Sequence, residues 1–239
     1  MSNQKHYFVI GGSSGINLAV VKNLISAGHQ VFVGSRTVSD ELKELDVQHI
    51  KLDVTDEPDN WDLSALPDTL HGLVYGAGTI NLKPFQSLKI TDFQKDLEIN
   101  TLGAIKILQA TWKKLKKSKN ASVVMFSTVA VKSGMNFHAS VAVAKAGIEG
   151  LTRSLSAEWA KYNIRVNAIA PSLTNTPLAK NLLSTEDKQK GAAQRHPLGR
   201  YGEVEDISEA VLYLLGDKAS WMTGQILHID GGMSATRGL

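Results

Sequence analysis

Seven short, nearly unbroken apolar runs alternate along the chain with longer stretches of helical periodicity. The runs are Tyr7–Ile10, Gln30–Gly34, Gln48–Leu52, Gly72–Tyr75, Ser122–Ser127, Arg165–Ala170 and Gln225–Ile229. Helix patterns fall near 15–27, 39–45, 91–117, 138–161 and 204–216. Apolarity on successive residues, rather than on every second one, suits strands covered on both faces, as in a parallel sheet. Parallel neighbours need a long crossover, and helices supply it. The expected fold is therefore α/β and doubly wound, with a seven-stranded, mostly parallel sheet and helices on both faces. No linker-like stretch and no internal repeat divides the 239 residues, so 1–239 reads as one domain.

One segment breaks the rhythm. Thr174–Pro177 is turn-like, Leu178–Arg195 is polar and weakly helical, and His196 and Pro197 close it. An excursion of this length in an otherwise economical chain reads as a substrate lid at about 177–198, with Leu178, Leu182 and Leu183 as its apolar side.

Composition removes several classes of function. The chain has no cysteine, which excludes disulfide scaffolds, thiol nucleophiles and cysteine-ligated metals, and no metal site is expected. Apolar runs such as Val211–Leu215 fall far short of the ~20 residues of a membrane span, and the polar Met1–His6 leads straight into a strand, so no membrane partner is expected. Net charge is +3, and the one basic cluster (Lys113, Lys114, Lys116, Lys117, Lys119) ends a helix pattern, where cations favour the helix dipole. It lacks a nucleic-acid reading motif, so no nucleic-acid partner is expected either. A cytoplasmic enzyme or binding protein is the expectation that remains.

The first strand runs into Gly11-Gly12-Ser13-Ser14-Gly15-Ile16, and a helix pattern follows at once. Glycines there let the backbone approach a ligand, and the N–H groups at the start of a helix suit a phosphate. The second strand ends in Ser35-Arg36, with no carboxylate before Asp40. In a dinucleotide fold a carboxylate at that point binds the ribose 2′-hydroxyl, whereas arginine accommodates a 2′-phosphate. The charge favours NADP(H) over NAD(H).

Over essentially its whole length the sequence resembles the short-chain dehydrogenase/reductase family, and its tail most resembles the 3-oxoacyl-(acyl carrier protein) reductase-like branch. Gly11, Ser13, Ser14, Gly15 and Ile16 fall in a segment similar to the family's cofactor loop, whose last glycine is Asn17 here. Asp53-Val54 resembles the pair flanking the adenine. Gly76-Ala77-Gly78 resembles the Asn-Ala-Gly motif, with Gly76 in place of asparagine. Asn100 falls where the family keeps a helix asparagine. Pro171, Thr174 and Thr176 fall in a segment similar to the loop beside the nicotinamide, and Thr223-Gly224-Gln225 and Asp230-Gly231-Gly232 resemble the C-terminal motifs. The resemblance implies a Rossmann fold, a nicotinamide cofactor, a small-molecule substrate and a homotetramer built on the 138–161 and 221–239 segments. Val211–Leu215 and Trp221-Met222 are the apolar surface such contacts would cover.

The active centre departs from the family. Its catalytic helix carries Tyr-x-x-x-Lys, and this chain has Lys145 with Val141 four residues earlier. The serine position holds Thr128, beside Ser127. The resemblance thus implies roles for Asn100, Thr128 and Lys145 and leaves the proton donor vacant. Hydride addition to a carbonyl puts charge on oxygen, and a general acid that meets it is worth ~10²–10⁴ in rate. His138 stands seven residues before Lys145, almost two turns away on the same face. Enoyl-acyl carrier protein reductases place their tyrosine at that spacing. Two readings stay open for His138: a proton donor, which requires the chain to bend there, or a structural or substrate-lining residue.

The expectation is an NADP(H)-dependent oxidoreductase acting on a carbonyl/alcohol pair or an activated double bond. Its alternative is a catalytically silent nucleotide-binding protein, a sensor or inactive subunit, because the tyrosine is absent.

Overall fold

The chain crosses between sheet positions in one direction for two strands, then turns back and fills the other side. A computed structural model describes residues 4–236. Strand β1 (His6–Ile10) feeds helix α1 (Gly15–Ser26), β2 (Gln30–Ser35), the short α2 (Asp40–Lys43) and β3 (Val47–Lys51). Next come β4 (Gly72–Tyr75), α3 (Ile90–Leu97), α4 (Gly103–Lys117), β5 (Ala121–Phe126), α5 (Val129–Lys132) and α6 (Ala139–Trp159). Strand β6 (Ile164–Pro171), α7 (Glu186–Gln194), α8 (Val204–Leu215) and β7 (Ile226–Ile229) complete it. The sheet order is β3-β2-β1-β4-β5-β6-β7. Every neighbouring pair is parallel, so the sheet is wholly rather than mostly parallel among the described residues. The reversal between β1 and β4 splits the loops apart at their C-terminal ends, where open α/β sheets hold ligands.

Successive side chains of each strand enter opposite cores, which is why the runs are apolar throughout. Phe8, Ile10, Leu73, Tyr75, Val123 and Met125 pack with Ile107, Leu108 and Leu115 of α4 and Ile148 of α6. Tyr7, Val9, Val74, Val124 and Phe126 pack on the other side with Leu18 and Val21 of α1 and Val211 and Leu214 of α8.

Four readings of the sequence need correction. The single helix at 91–117 is interrupted by a π turn over Glu98–Leu102, which carries Asn100. The helix at 39–45 shrinks to α2. Val211–Leu215 does not form apolar surface: Val211, Leu214 and Leu215 are buried, and the exposed residues of the expected patch are Tyr213 and the 99% exposed Trp221. Leu183 is buried, and of the three lid leucines only Leu178 and Leu182 face the cavity described below.

The excursion after β6 is ordered by two hydroxyl caps. Thr176 accepts from Ala179 N at the turn Pro177–Leu182, and Thr185 accepts from Lys188 N at the start of α7. The lysine cluster at the end of α4 is engaged locally. Lys114 donates to the carbonyls of Leu66 and Pro67, Lys117 pairs with Asp68 at 2.6 Å, and Lys116 lies over the Tyr162 ring. Among the described residues no helix is long and apolar enough to cross a membrane.

Candidate active site

A cavity of about 1010 Å³ opens along the C-terminal ends of the central strands. At its floor the chain leaves β1 through Gly11 and Gly15, whose φ values of +76° and +55° are costly for any residue with a Cβ. A Cβ on Gly11 would lie 3.2 Å from the backbone of Gly76 and Ala77, so the turn can press against β4 only as glycine. Ser14 caps α1 without using its side chain, and no acidic residue lies in the first turn. The open N–H groups and positive end of α1 are thereby left facing the cavity, a setting for an anion. Ser13, Ser14, Gly15 and Ile16 all line it.

Beyond β2, Ser35 donates from its hydroxyl to Thr37 O at 2.7 Å and lies 2.9 Å from His49 Nε2. Arg36 is exposed at the rim. Asp53 faces it from the end of β3. Burial pushes the Asp53 carboxyl up, but two hydrogen bonds from Thr55 and the charge of Arg36 outweigh that and hold it below the ordinary value. Val54, Gly76, Ala77 and Gly78 continue the lining.

Lys145 lines the cavity although it is almost wholly buried. Its Nζ donates to Phe126 O at 2.8 Å, and burial pushes its pKa down to about 8 against the opposing pull of Asp96. A Cβ on Gly78 would lie 3.5 Å from that Nζ and 3.2 Å from Asn100 Oδ1. Asn100 itself is fully buried and does not line the cavity. Its Nδ2 donates to Asp96 O at 2.8 Å and to Thr79 Oγ1 at 3.0 Å, so it fastens the π turn to the loop after β4. Thr79 in turn donates to Asp96 Oδ1 at 2.7 Å.

The hydroxyls at the end of β5 separate cleanly. Ser127 is buried and donates to Glu149 Oε1 at 2.9 Å. Thr128 caps α5 by accepting from Ala130 N, which leaves its hydroxyl hydrogen without an acceptor among the described residues, on the cavity side. Val141 lies one turn before Lys145 and lines the same wall. His138 is the residue just before α6, off the helix (φ −101°, ψ 9°), and the chain does bend there: His138 lines the cavity with Met135 and Val141. Its Nδ1 lies 2.6 Å from Asn136 O. Pro171, Thr174 and Thr176 also line the cavity, as do Leu178 and Leu182.

Asn17, Ser172 and His196 also line the cavity, and the sequence assigned none of them a role in the site. Asn17 donates from Nδ2 to Gly76 O at 3.2 Å, while its Oδ1 is buried and unpartnered. Ser172 Oγ lies 2.8 Å from His196 Nε2, and His196 Nδ1 lies 2.8 Å from Ala192 O. No sequence signal joins Ser172 to His196. They stand 24 positions apart, and only the fold-back of the excursion brings them together.

A doubly wound sheet whose first glycine turn and helix N-terminus open on one long crevice is built to hold a dinucleotide. A family profile described as Enoyl-(Acyl carrier protein) reductase matches residues 11–234. A tropinone reductase homologue of Arabidopsis thaliana is 32% identical, with 95% of this chain and 91% of the relative covered. The 3-oxoacyl-[acyl-carrier-protein] reductase of Aquifex aeolicus is 30% identical, with 94% and 95% covered. Among solved structures, levodione reductase superposes with a TM-score of 0.89 at 28% identity, covering 98% of each chain. ElxO with NADP bound superposes at 0.87 and 25% identity, covering 98% of this chain and all of that one. The chain belongs to the short-chain dehydrogenase/reductase family, on the side of the 3-oxoacyl-(acyl carrier protein) reductases. Its relatives are dehydrogenases and reductases.

Proposed function

We propose that the chain is an NADP(H)-dependent oxidoreductase that moves hydride to or from a carbonyl/alcohol substrate. The observation that carries this reading is one continuous cavity lined at one end by Arg36 and at the other by Lys145 and Thr128. The residues fit the cofactor: the glycine turn and the open end of α1 suit a pyrophosphate, and Arg36, unopposed by a carboxylate on its own loop, suits a 2′-phosphate. ElxO, which carries NADP, is a neighbour in fold.

When bound, the nicotinamide supplies or accepts the hydride. The placement of the chain's own residues and the family resemblance support the following roles. Lys145 binds the nicotinamide ribose and brings positive charge to the wall. Thr128 donates its free hydroxyl hydrogen to the substrate oxygen. Asn100 holds the π turn and acts at one remove. Asp53, Val54, Gly76, Ala77, Gly78, Pro171, Thr174 and Thr176 shape the cofactor's bed. Leu178 and Leu182 cover the substrate from the 177–198 lid and exclude water. The working form is a single domain in a cytoplasmic homotetramer.

Val141 is what favours the second reading, a silent nucleotide-binding protein. NADPH consumption by a 3-oxoacyl thioester, tropinone and levodione decides between them. Turnover lost in Lys145→Met supports the enzyme, and tight NADPH binding with no consumption supports the silent protein.

A further inference from the structure

The cavity holds a second acid–base group that the family pattern does not supply. His196 is only 4% exposed, and both of its ring nitrogens are engaged. Its Nδ1 faces Ala192 O, a carbonyl that only accepts, so Nδ1 carries hydrogen in every protonation state. Nε2 is therefore the atom that gains and loses the proton, and Ser172 Oγ lies 2.8 Å from it. Ser172 and His196 both line the cavity shared with Thr128, Val141 and Lys145. Hydroxyl, imidazole and orienting acceptor in series form the arrangement by which proteins activate a hydroxyl for proton transfer.

We propose that Ser172 and His196 form a proton relay to the substrate oxygen, doing the work for which Val141 offers no group. The proposal rests on the oxidoreductase reading above. With a neutral ring, the Ser172 hydroxyl donates to Nε2. With the imidazolium, Nε2–H donates to Oγ, and the serine hydrogen is free to turn from Met233 Sδ, 3.3 Å away, toward the cavity. On reduction, hydride from a reduced nicotinamide dinucleotide forms the new C–H bond and the carbonyl π pair moves onto oxygen. That oxygen takes the Ser172 proton as Oγ takes the proton of Nε2. The products are the alcohol, the oxidised dinucleotide and a neutral His196, which regains a proton from water.

His138 is the competing donor, and it is built differently. It is half-exposed, and its Nε2 has no partner among the described residues. The couple is aligned from both sides before substrate arrives, which is where general-acid geometry gains its efficiency.

The test uses the unmutated protein with Ser172→Ala, Ser172→Thr, His196→Gln and His138→Ala, assayed with NADPH on a 3-oxoacyl thioester, tropinone and levodione. Ser172→Ala and His196→Gln are expected to lower kcat about 10²-fold or more with KM and melting temperature little changed, and Ser172→Thr to recover most of the loss. Imidazole nitrogen NMR of the protein without cofactor supplies a readout independent of turnover. His196 is expected to show the Nδ1–H tautomer, with an Nε2 signal that moves in Ser172→Ala. Full kcat in Ser172→Ala, or loss confined to His138→Ala, overturns the relay and leaves the oxidoreductase reading standing. An Nε2–H tautomer for neutral His196 overturns the relay as well. No turnover by the unmutated protein despite NADPH binding overturns the oxidoreductase reading and the relay with it.

Discussion

The side chain of Asn17 occupies the space that a side chain on Gly76 would need. A Cβ built on Gly76 overlaps the Asn17 amide, and that amide donates to Gly76 O at 3.2 Å. The family pattern puts glycine at the first position and asparagine at the second, so this chain carries the pair exchanged. Here the Asn17 amide fills the gap between α1 and the end of β4. Gly76→Asn alone is expected to destabilise the protein by roughly 2 kcal/mol or more, because two amides then compete for one space. Adding Asn17→Gly is expected to return most of that loss. A double-mutant cycle on melting temperature or denaturation midpoint reads the coupling, and additive effects would show that the two positions are independent.

Arg36 is expected to set the cofactor preference. Calorimetric titration is expected to show tighter binding of NADPH than of NADH, and Arg36→Ala to erase most of the difference while leaving NADH affinity nearly unchanged. Equal affinity for both cofactors in the unmutated protein would remove the assignment.

Lys145 is expected to weaken the fold at neutral pH. Its pKa of about 8 lies below the 10.5 of a free lysine, so between those values the unfolded chain binds more protons and stability rises with pH. Below about 8 the burial penalty is fully present. Lys145→Met is expected to raise stability at pH 7 by about 1–2 kcal/mol after the loss of the bond to Phe126 O, with the gain fading toward pH 10.5. Thermal unfolding across that range is the check, and a gain that grows with pH would contradict the assignment.

Assembly is expected to be tetrameric. Trp221 at 99% exposure and Val143 of α6 at 52% are costly to leave in water, and both lie in segments that the family resemblance assigns to subunit contacts. Light scattering at micromolar concentration is expected to give four times 25.9 kDa, and a monomer would rule the assembly out.

The sequence was most legible where a local pattern carries the structure. Strands buried on both faces declare themselves through unbroken apolar runs, and all seven appear within a residue of their expected ends. The glycine turn was equally plain, since Gly11 and Gly15 are needed for backbone reasons that hold in isolation. The π turn at Asn100 was invisible because widening one turn leaves the apolar stripe of 91–117 nearly unchanged. Leu183 and Val211–Leu215 were misread because periodicity names an apolar face without saying what covers it. The contact between Ser172 and His196 depends on how the 174–198 excursion folds back, which no local signal encodes.

Hydride is expected to pass through this site although valine stands at the tyrosine position. The most direct measurement uses NADPH deuterated at the transferring carbon, with mass spectrometry of the alcohol formed from a 3-oxoacyl thioester, tropinone or levodione. The expected product carries one deuterium from the cofactor, is formed by the unmutated protein and is lost in Lys145→Met. Saturating NADPH binding with no labelled alcohol from any of the three would contradict it and leave a protein that binds the nucleotide without using it.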